Sequence, residues 1–224
     1  MCEIGDAFTV SDNDSSNMLP SRGGSSAWPD PLPSLTELEF DGCYDLKELP
    51  SGICNLVNLQ TLSITNCHEL DGLPKGLGNL LHLENLNLQC CTKLQELPES
   101  IGSLHNLRFI DISDCLSLSV LPEAIGELSG LRVLKMSGCH GLQELPAPMS
   151  TLCELEDVTC DEETSYLWMN VESDLYNLKM SYADLTKSSR KNVCKCLTMK
   201  LMRGGFGACI KVKVLTCDQK TYWK

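Results

Sequence analysis

The chain has 224 residues, of which fourteen are cysteine, and its formal net charge is −12. It has no apolar run of 18 residues and no basic stretch followed by an apolar stretch at its start, so the sequence predicts neither a membrane-spanning helix nor a secretory signal. Residues 1–184 carry 8 basic and 29 acidic side chains, and this acidic balance argues against nucleic acid as a partner because phosphates would be repelled.

Residues 1–33 are rich in Ser, Asp, Gly and Pro, and we expect them to be a flexible lead-in. A 24-residue period follows over residues 34–160 and is marked by Leu35, Leu59, Leu83, Leu107, Leu131 and Leu155. Each period reads L-x-x-L-x-L-x-x-C-x-x-L-x-x-L-P-x-x-[IL]-x-x-L-x-x, a pattern typical of leucine-rich repeats. We therefore predict an α/β solenoid, a horseshoe with parallel strands on its concave face and irregular or short-helical segments on its convex side.

Polar and apolar residues alternate over residues 85–89, which predicts a short strand with one buried face. The equivalent segments of the other repeats are residues 37–41, 61–65, 109–113 and 133–137. A Leu-Pro pair follows each strand, and proline ends the pairing because it has no N–H. Since no repeat can bury its own leucines, stacking must stabilise the whole array. The lead-in is a poor cap for such an array, so we expect a longer protein with a preceding coil.

One repeat position is always cysteine, and it is occupied by Cys43, Cys67, Cys91, Cys115 and Cys139. Neighbouring members of this column would lie within disulfide reach. Five cannot all pair, however, and no signal peptide indicates an oxidising compartment. We therefore favour reduced, buried thiols that donate to backbone carbonyls.

The repeat pattern decays after Leu155, and residues 161–180 predict a capping helix and a short strand. The helix is expected over residues 161–175, with an acidic start suited to the helix dipole. Residues 181–224 are basic, and we expect a disordered tail or a splicing remnant, with contact to anionic lipid as an alternative. The tail cysteines do not have zinc-site spacing: Cys194, Cys196, Cys209 and Cys217. Its glycines lack the Lys-Ser/Thr of a phosphate loop.

Strand side chains that miss the core should point from the concave face. In the fourth and fifth repeats these positions are partly basic and apolar, and the candidate residues are Arg108, Phe109, Asp111, Arg132, Val133 and Lys135. Aromatic and arginine side chains dominate interface hot spots, so we predict a partner-binding patch. The alternative is that Phe109 leans on its neighbours and the arginines are simply solvated.

No catalytic arrangement is found in the sequence. The four histidines have no metal-ligand spacing, and no G-x-S-x-G elbow occurs. We therefore predict a protein that is not an enzyme and has no metal site and no cofactor.

The repeats resemble those of plant nucleotide-binding leucine-rich-repeat immune receptors, whose Cys column precedes x-x-L-x-x-L-P. The segments LSITNCHEL, SIGSLHNLRFIDISDCLSLSVLPEAIGEL and VTCDEETSYLW are similar to the C-terminal part of helper receptors with a powdery-mildew-resistance-type coiled coil. CEIGDAF near the start also resembles an internal piece of that family. The resemblance extends over about residues 2–180 and ends in the basic tail.

This resemblance implies a protein-interaction and autoinhibitory module in defence signalling. Its partner would be the receptor's own switch domain or a lipase-like heterodimer of the Enhanced Disease Susceptibility family. The family's switch domain binds ATP or ADP, but this chain has no G-x-x-x-x-G-K-[ST], so we expect no nucleotide here. The expected location is the cytoplasm, with the nucleus or the inner plasma membrane as alternatives for a full-length receptor. A free-standing repeat scaffold is the alternative function.

Overall fold

The computed structural model describes residues 35–169, 171, 175, 178–182 and the backbone of 209–214. The strands are β1 Leu35–Asp41, β2 Thr61–Thr65, β3 Asn85–Asn87, β4 Phe109–Asp111, β5 Val133–Lys135, β6 Asp157–Cys160, β7 Lys179–Tyr182 and β8 Cys209–Val214. They form one sheet in the order β7-β6-β5-β4-β3-β2-β1-β8. The predicted lead-in, residues 1–33, lies outside the described residues.

Strands β1 to β7 run parallel in an open sheet, which confirms the predicted solenoid. From β1 to β6 the register advances by one repeat per strand, so that Thr61 lies opposite Asn85 and Asn85 lies opposite Phe109. The same side-chain positions of successive repeats are therefore lateral neighbours. The step shortens between β6 and β7, where Asp157 pairs with Lys179, because the 24-residue pattern has ended there.

Leucine columns fill the interior. The residues that mark the period are all buried: Leu35, Leu59, Leu83, Leu107, Leu131 and Leu155. The cysteine column is buried beside them and its thiols are free. Each interior side chain packs against copies of itself in the adjacent coils, so burial is shared between repeats as the solenoid requires.

The segments after the Leu-Pro pairs are short 3-10 helices, which lie on the side opposite the sheet: Ser51–Asn55, Leu77–Asn79, Glu99–Ser103, Glu123–Glu127 and Ala147–Thr151. Successive coils approach closely here. A Cβ atom on Gly78 would lie 2.2 Å from the Ser100 carbonyl oxygen, and one on Gly126 would lie 2.6 Å from that of Pro148. Glycine at this position therefore allows the helical side to stack.

A left-handed residue precedes each cysteine of the column and turns the chain out of its strand. The φ angles are +66° at Gly42, +56° at Asn66, +62° at Cys90, +61° at Asp114 and +79° at Gly138. Glycine, asparagine and aspartate tolerate this region best, which accounts for four of these five residues. Cys90 is the exception and is strained in backbone terms.

The column thiols bind the preceding coil. The Sγ atoms of Cys91, Cys115 and Cys139 donate to the carbonyls of Ile64, Leu88 and Ile112, at 3.3, 3.2 and 2.9 Å. Burial raises the pKa of the Cys91 thiol to about 12, and it raises the pKa of Cys139 as well. These thiols stay protonated, so they act as donors that tie each turn to the one before it.

Within the predicted helix over residues 161–175, residues 161–169 form a turn and a short 3-10 helix, and residues 170 and 172–174 lie outside the described residues. Asp161 Oδ1 accepts hydrogen bonds from the Thr164 amide and hydroxyl, both at 2.8 Å. These bonds hold residues 161–164 in a turn, and a 3-10 helix follows only over Ser165–Trp168. Trp168 is nevertheless buried, and its Nε1 donates to Met136 Sδ at 3.3 Å.

The predicted disordered tail needs a correction at Cys209–Val214. This segment is a strand, β8, that pairs antiparallel with the outer edge of β1. The sequence C-I-K-V-K-V alternates with period two, as strands do. The tail cysteines Cys194, Cys196 and Cys217 lie outside the described residues.

Candidate protein-interaction site

The predicted patch lies on the face of the sheet turned away from the leucine core, which we call the sheet face. The register places Phe109 beside Val133 and Asp111 beside Lys135. Phe109, Val133 and Lys135 are half-buried, whereas Arg108 and Arg132 are exposed at the edge where the strands begin. Two adjacent coils therefore present apolar and basic groups together.

Lys135 crosses from β5 onto β4 and joins the two coils. Its Nζ lies 5.1 Å from the centre of the Phe109 ring and 3.8 Å from Asp111 Oδ2. The first contact is a cation–π interaction and the second is an ion pair. About 42% of the Lys135 side chain stays exposed, so its ammonium group is held in place yet open to a ligand.

Asp111 is a positioning residue rather than part of the open surface. It is only 7% exposed, and its Oδ1 accepts a hydrogen bond from the Ser113 amide at 3.0 Å. The equivalent Asn87 accepts from the Gln89 amide in the same way, at 3.1 Å. The polar side chain at this position thus supports the turn, and in the fourth repeat it also fixes Lys135.

Arg132 lies between two glutamates of the neighbouring coil. Arg132 lies 3.7 Å from Glu154 and 3.9 Å from Glu156 through its guanidinium nitrogens, and all three side chains are at least half exposed. Such exposed pairs contribute at most about 1 kcal/mol and exchange partners readily. A carboxylate on a partner could therefore replace either glutamate at small cost.

A carboxylate cluster adjoins the patch at the end of the strands. Asp161 Oδ2 accepts from the Gly138 amide at 2.5 Å, and His140 Nε2 lies 3.6 Å from the same oxygen and 3.2 Å from Glu163. In the earlier coils the equivalent amide donates its hydrogen bond to a backbone carbonyl, as the Asp114 amide does to the carbonyl of Ser137. At the last coil the side chain of Asp161 takes the place of that backbone carbonyl and accepts the hydrogen bond from the Gly138 amide.

The pKa values of two carboxyl groups in this cluster, Asp161 and Asp114, are shifted in opposite directions. Burial tends to raise the pKa of Asp161, but hydrogen bonds from Gly138 and Thr164 and the nearby His140 outweigh it and leave that pKa lowered. Burial raises the pKa of Asp114, and the hydrogen bond from the Cys90 thiol offsets only part of that increase. The cluster is thus a structural cap with one stabilised and one disfavoured charge.

A second concave feature lies on the flank of the solenoid, where the turns after the cysteine column stack. It is an open groove of about 660 Å³, and the ion pair between Lys93 and Glu69, at 2.7 Å, lies in it. Its other lining residues are Lys47, Asp71, Gln95, Leu116, Ser117, Ser119 and Gly141. Both signs of charge alternate along it, so it has no preference for one ligand charge.

No group of three or more His, Cys, Asp or Glu side chains in the described part of the chain has an arrangement that could hold a metal ion. A helix of the length and apolar character needed to cross a bilayer is also not found among the residues described.

Sequence reasoning placed the patch residues side by side, but it did not find the Lys135 contacts or the role of Asp161. A signal for Asp161 was present: its position is uncharged in the four preceding repeats, where Thr65, Gln89, Ser113 and Ser137 occupy it, and Asp41 of the first repeat has no Thr three residues later. Asp at that position with Thr three residues later is typical of a side-chain cap.

Comparison with known proteins agrees with this architecture. Residues 74–203 match the model of a leucine-rich repeat region, and residues 58–80 match that of a single leucine-rich repeat. The leucine-rich repeat domain of the type III effector XCV3220 (XopL) is a similar solved structure. It has 21% identity and a TM-score of 0.45, over 70% of this chain and 72% of that one. No match is found among the curated proteins. Because the match to the leucine-rich repeat region extends over more than half of this chain, the chain belongs to the leucine-rich repeat family.

Proposed function

We propose that this chain is the interaction module of a plant immune receptor of the helper type, and that it acts by holding a protein partner on its sheet face. Leucine-rich repeats generally serve as protein-interaction scaffolds, because stacked strands align one long row of side chains. The resemblance of DISDC and CDEET to helper receptors supports the receptor role.

One observation carries the proposal. Among the outward strand positions that the structure describes, the aromatic and aliphatic side chains are Phe109 and Val133, and they adjoin Arg108, Arg132 and Lys135. Elsewhere β1 is acidic and β2 and β3 are neutral and polar. The patch has an apolar centre that a partner could cover and a rim of basic side chains, and protein interfaces typically have such an apolar core with a polar rim.

The basic rim selects an acidic partner surface. Because the described solenoid is mostly acidic, an approaching acidic protein is repelled by much of its surface and meets clustered basic side chains near β4 and β5. A lipase-like heterodimer of the Enhanced Disease Susceptibility family, or the receptor's own switch domain, would place carboxylates against Arg108, Arg132 and Lys135. In the second case the contact is autoinhibitory, and an activating ligand would have to displace it.

The experiment is a binding titration of the purified lipase-like heterodimer against the full chain and two variants. The Phe109→Ala/Arg132→Ala variant should weaken binding by roughly tenfold or more, since two anchors are lost. Thr61→Ala/Asn85→Ala is the matched control, because these residues occupy the strand position of Phe109 in neighbouring coils; it should bind like the native chain. Absence of binding would refute the heterodimer as the partner, and an equal loss in both variants would refute the patch as the binding surface.

A free-standing scaffold is the second candidate, and one observation favours it. Strand β8 occupies the outer edge of β1, which is the edge that a preceding repeat coil would need. Full-length transcripts from the locus distinguish the two functions. A phosphate-loop sequence joined in frame before residue 1 supports the receptor, and an untranslated leader there supports the scaffold.

A further inference from the structure

The β1 edge of the parallel sheet is covered by a distant part of the chain, the strand β8. The pairing is antiparallel and sets Glu37 opposite Lys213 and Glu39 opposite Lys211. The residues between them in register are apolar, with Leu38 opposite Val212 and Phe40 opposite Ile210. Two acidic positions therefore meet basic ones and the apolar positions meet apolar ones, whereas Asp41 lies opposite Cys209 and the register shifts between Leu35 and Glu37.

The backbone of β1 has donors and acceptors available on this edge. The Thr36 carbonyl accepts from Gln60, and the Gly42 amide donates to Thr65, so the even-numbered residues of β1 face β2. Backbone groups alternate along a strand, which turns those of Glu37, Glu39 and Asp41 toward β8. An uncovered row of such groups would be a template for pairing with other chains.

The chain between the two strands is long enough to make this closure. Seven strand spacings separate β7 from β8, or about 34 Å at about 4.8 Å each. Residues 183–208 could span more than about 80 Å if fully extended. Closure within one molecule is therefore sterically possible and has an effective concentration on the order of millimolar.

We propose that the outer edge of β1 is a strand-addition surface that selects extended segments in which lysine alternates with aliphatic residues, and that Cys209–Val214 is its occupant in this chain. Strand addition draws affinity from main-chain hydrogen bonds and specificity from alternate side chains. Opposite charges at directly opposed positions favour this strand, and like charges would disfavour it. This inference concerns a different surface from the proposed partner-binding patch and does not rest on that patch; a repeat coil placed before β1 would compete with β8 for the same edge.

Amide hydrogen exchange of the full chain tests it with residue resolution. The amides of Glu37, Glu39 and Asp41 should be protected in the native chain. Lys211→Glu/Lys213→Glu should lower their protection about tenfold, since two attractive pairs become repulsive. Lys211→Pro should lower it further, because proline removes an N–H that faces β1. The amides of Leu86 and Ile110, inside the sheet, should not change and serve as the internal reference for folding.

Two further variants separate specific pairing from general charge effects. Adding Glu37→Lys/Glu39→Lys to the lysine reversals should restore the protection. Lys195→Glu/Lys220→Glu makes the same change in net charge outside β8 and should leave protection native. Protection in the native chain at the level of an unpaired peptide would overturn the proposal, and so would an equal loss in this control variant.

The emptied edge should also accept the strand from outside. A peptide of residues 208–215, added to the Lys211→Glu/Lys213→Glu chain, should restore protection of the Glu37, Glu39 and Asp41 amides. The same peptide with both lysines changed to glutamate should not. Restoration by both peptides would overturn the charge selectivity. Native protection that falls on dilution would show that the strand comes from a second molecule, which would overturn closure within one chain.

Discussion

The interior and the sheet face of this solenoid follow opposite rules. Inside, the same residue types recur every 24 positions, because each side chain packs against its copies in adjacent coils. On the sheet face, the position held by Phe109 in one coil is Asn85 in the coil before it and Val133 in the coil after it. Stability thus constrains the columns, while the face between them is free to vary, and recognition can be built there.

The largest effect on stability is expected from a substitution in the interior, compared with one on the sheet face of the same repeat. Leu83 is fully buried, so Leu83→Ala should lower the free energy of unfolding by about 2–5 kcal/mol through lost burial and a cavity. Asn85→Ala, two residues later on the sheet face, should change it by less than about 0.5 kcal/mol. Urea unfolding of both variants measures the difference, and similar costs would contradict the division between interior and face.

The helical side should be nearly as sensitive where coils touch. Gly78→Ala would bring a methyl group against the Ser100 carbonyl, and we expect a loss of about 1–3 kcal/mol in unfolding free energy. Gly72→Ala is the matched control in the same repeat, since a Cβ there meets nothing within 4 Å. Thermal unfolding compares the two. A control as unstable as Gly78→Ala would mean that backbone freedom, and not coil spacing, explains the glycine.

The cap at Asp161 should make stability depend on pH. Asp161→Ala leaves the buried Gly138 amide without its acceptor, at a cost of about 1–3 kcal/mol near pH 7. The pKa of Asp161 is lowered by folding, so its charged form stabilises the fold above the unfolded value of about 3.9, and this contribution is lost as pH falls through the folded value. The gap between native and variant stability should therefore shrink below about pH 4.

Asp114→Asn is the comparison for Asp161→Ala, because folding shifts the pKa values of these two carboxyl groups in opposite directions. Because burial raises the pKa of Asp114, its charge destabilises the fold at neutral pH, and its removal should cost little or nothing there. Urea unfolding at pH 7 and at pH 3.5 gives both values. An Asp161→Ala deficit that stays constant over this range would contradict the role given to its charge.

The smallest expected effect concerns the cysteine column. Cys115→Ala removes a thiol that donates to the Leu88 carbonyl, and we expect a loss of about 1 kcal/mol in unfolding free energy. The loss is modest because the Cys91 amide also donates to that carbonyl. The exposed Cys153 provides the control, and Cys153→Ala should be neutral. Equal effects in a urea titration would show that the column thiols do not stabilise the stacked turns.

The sequence alone predicts which residues of successive coils are neighbours, because the 24-residue period sets their positions. A 24-residue step forces like positions into register, so the neighbourhood of Phe109 and Val133 follows from counting alone. The diagonal reach of Lys135 onto the Phe109 ring does not, because it depends on the side-chain conformation. The sequence at Asp161 predicts a helix start where the structure has a turn, because an acidic residue before an apolar run is typical of both.

Strand β8 shows a different limit of sequence reasoning. Its alternating residues predict a strand, but nothing local indicates which edge it joins, and the partner strand is more than 160 residues earlier. The two segments are connected by the complementary charges of Glu37 and Glu39 against Lys213 and Lys211 and by the apolar pairs between them. Pairing over such a separation is decided by the whole fold and not by short-range pattern.

The most direct test of the sheet face as a docking platform is amide hydrogen exchange of the chain with and without the lipase-like heterodimer. Bound partner should slow exchange over Phe109–Asp111 and Val133–Lys135 and leave Glu123–Glu127, on the opposite side, unchanged. Slower exchange confined to Glu123–Glu127 and its neighbouring 3-10 helices, or no change in β4 and β5, would contradict the account.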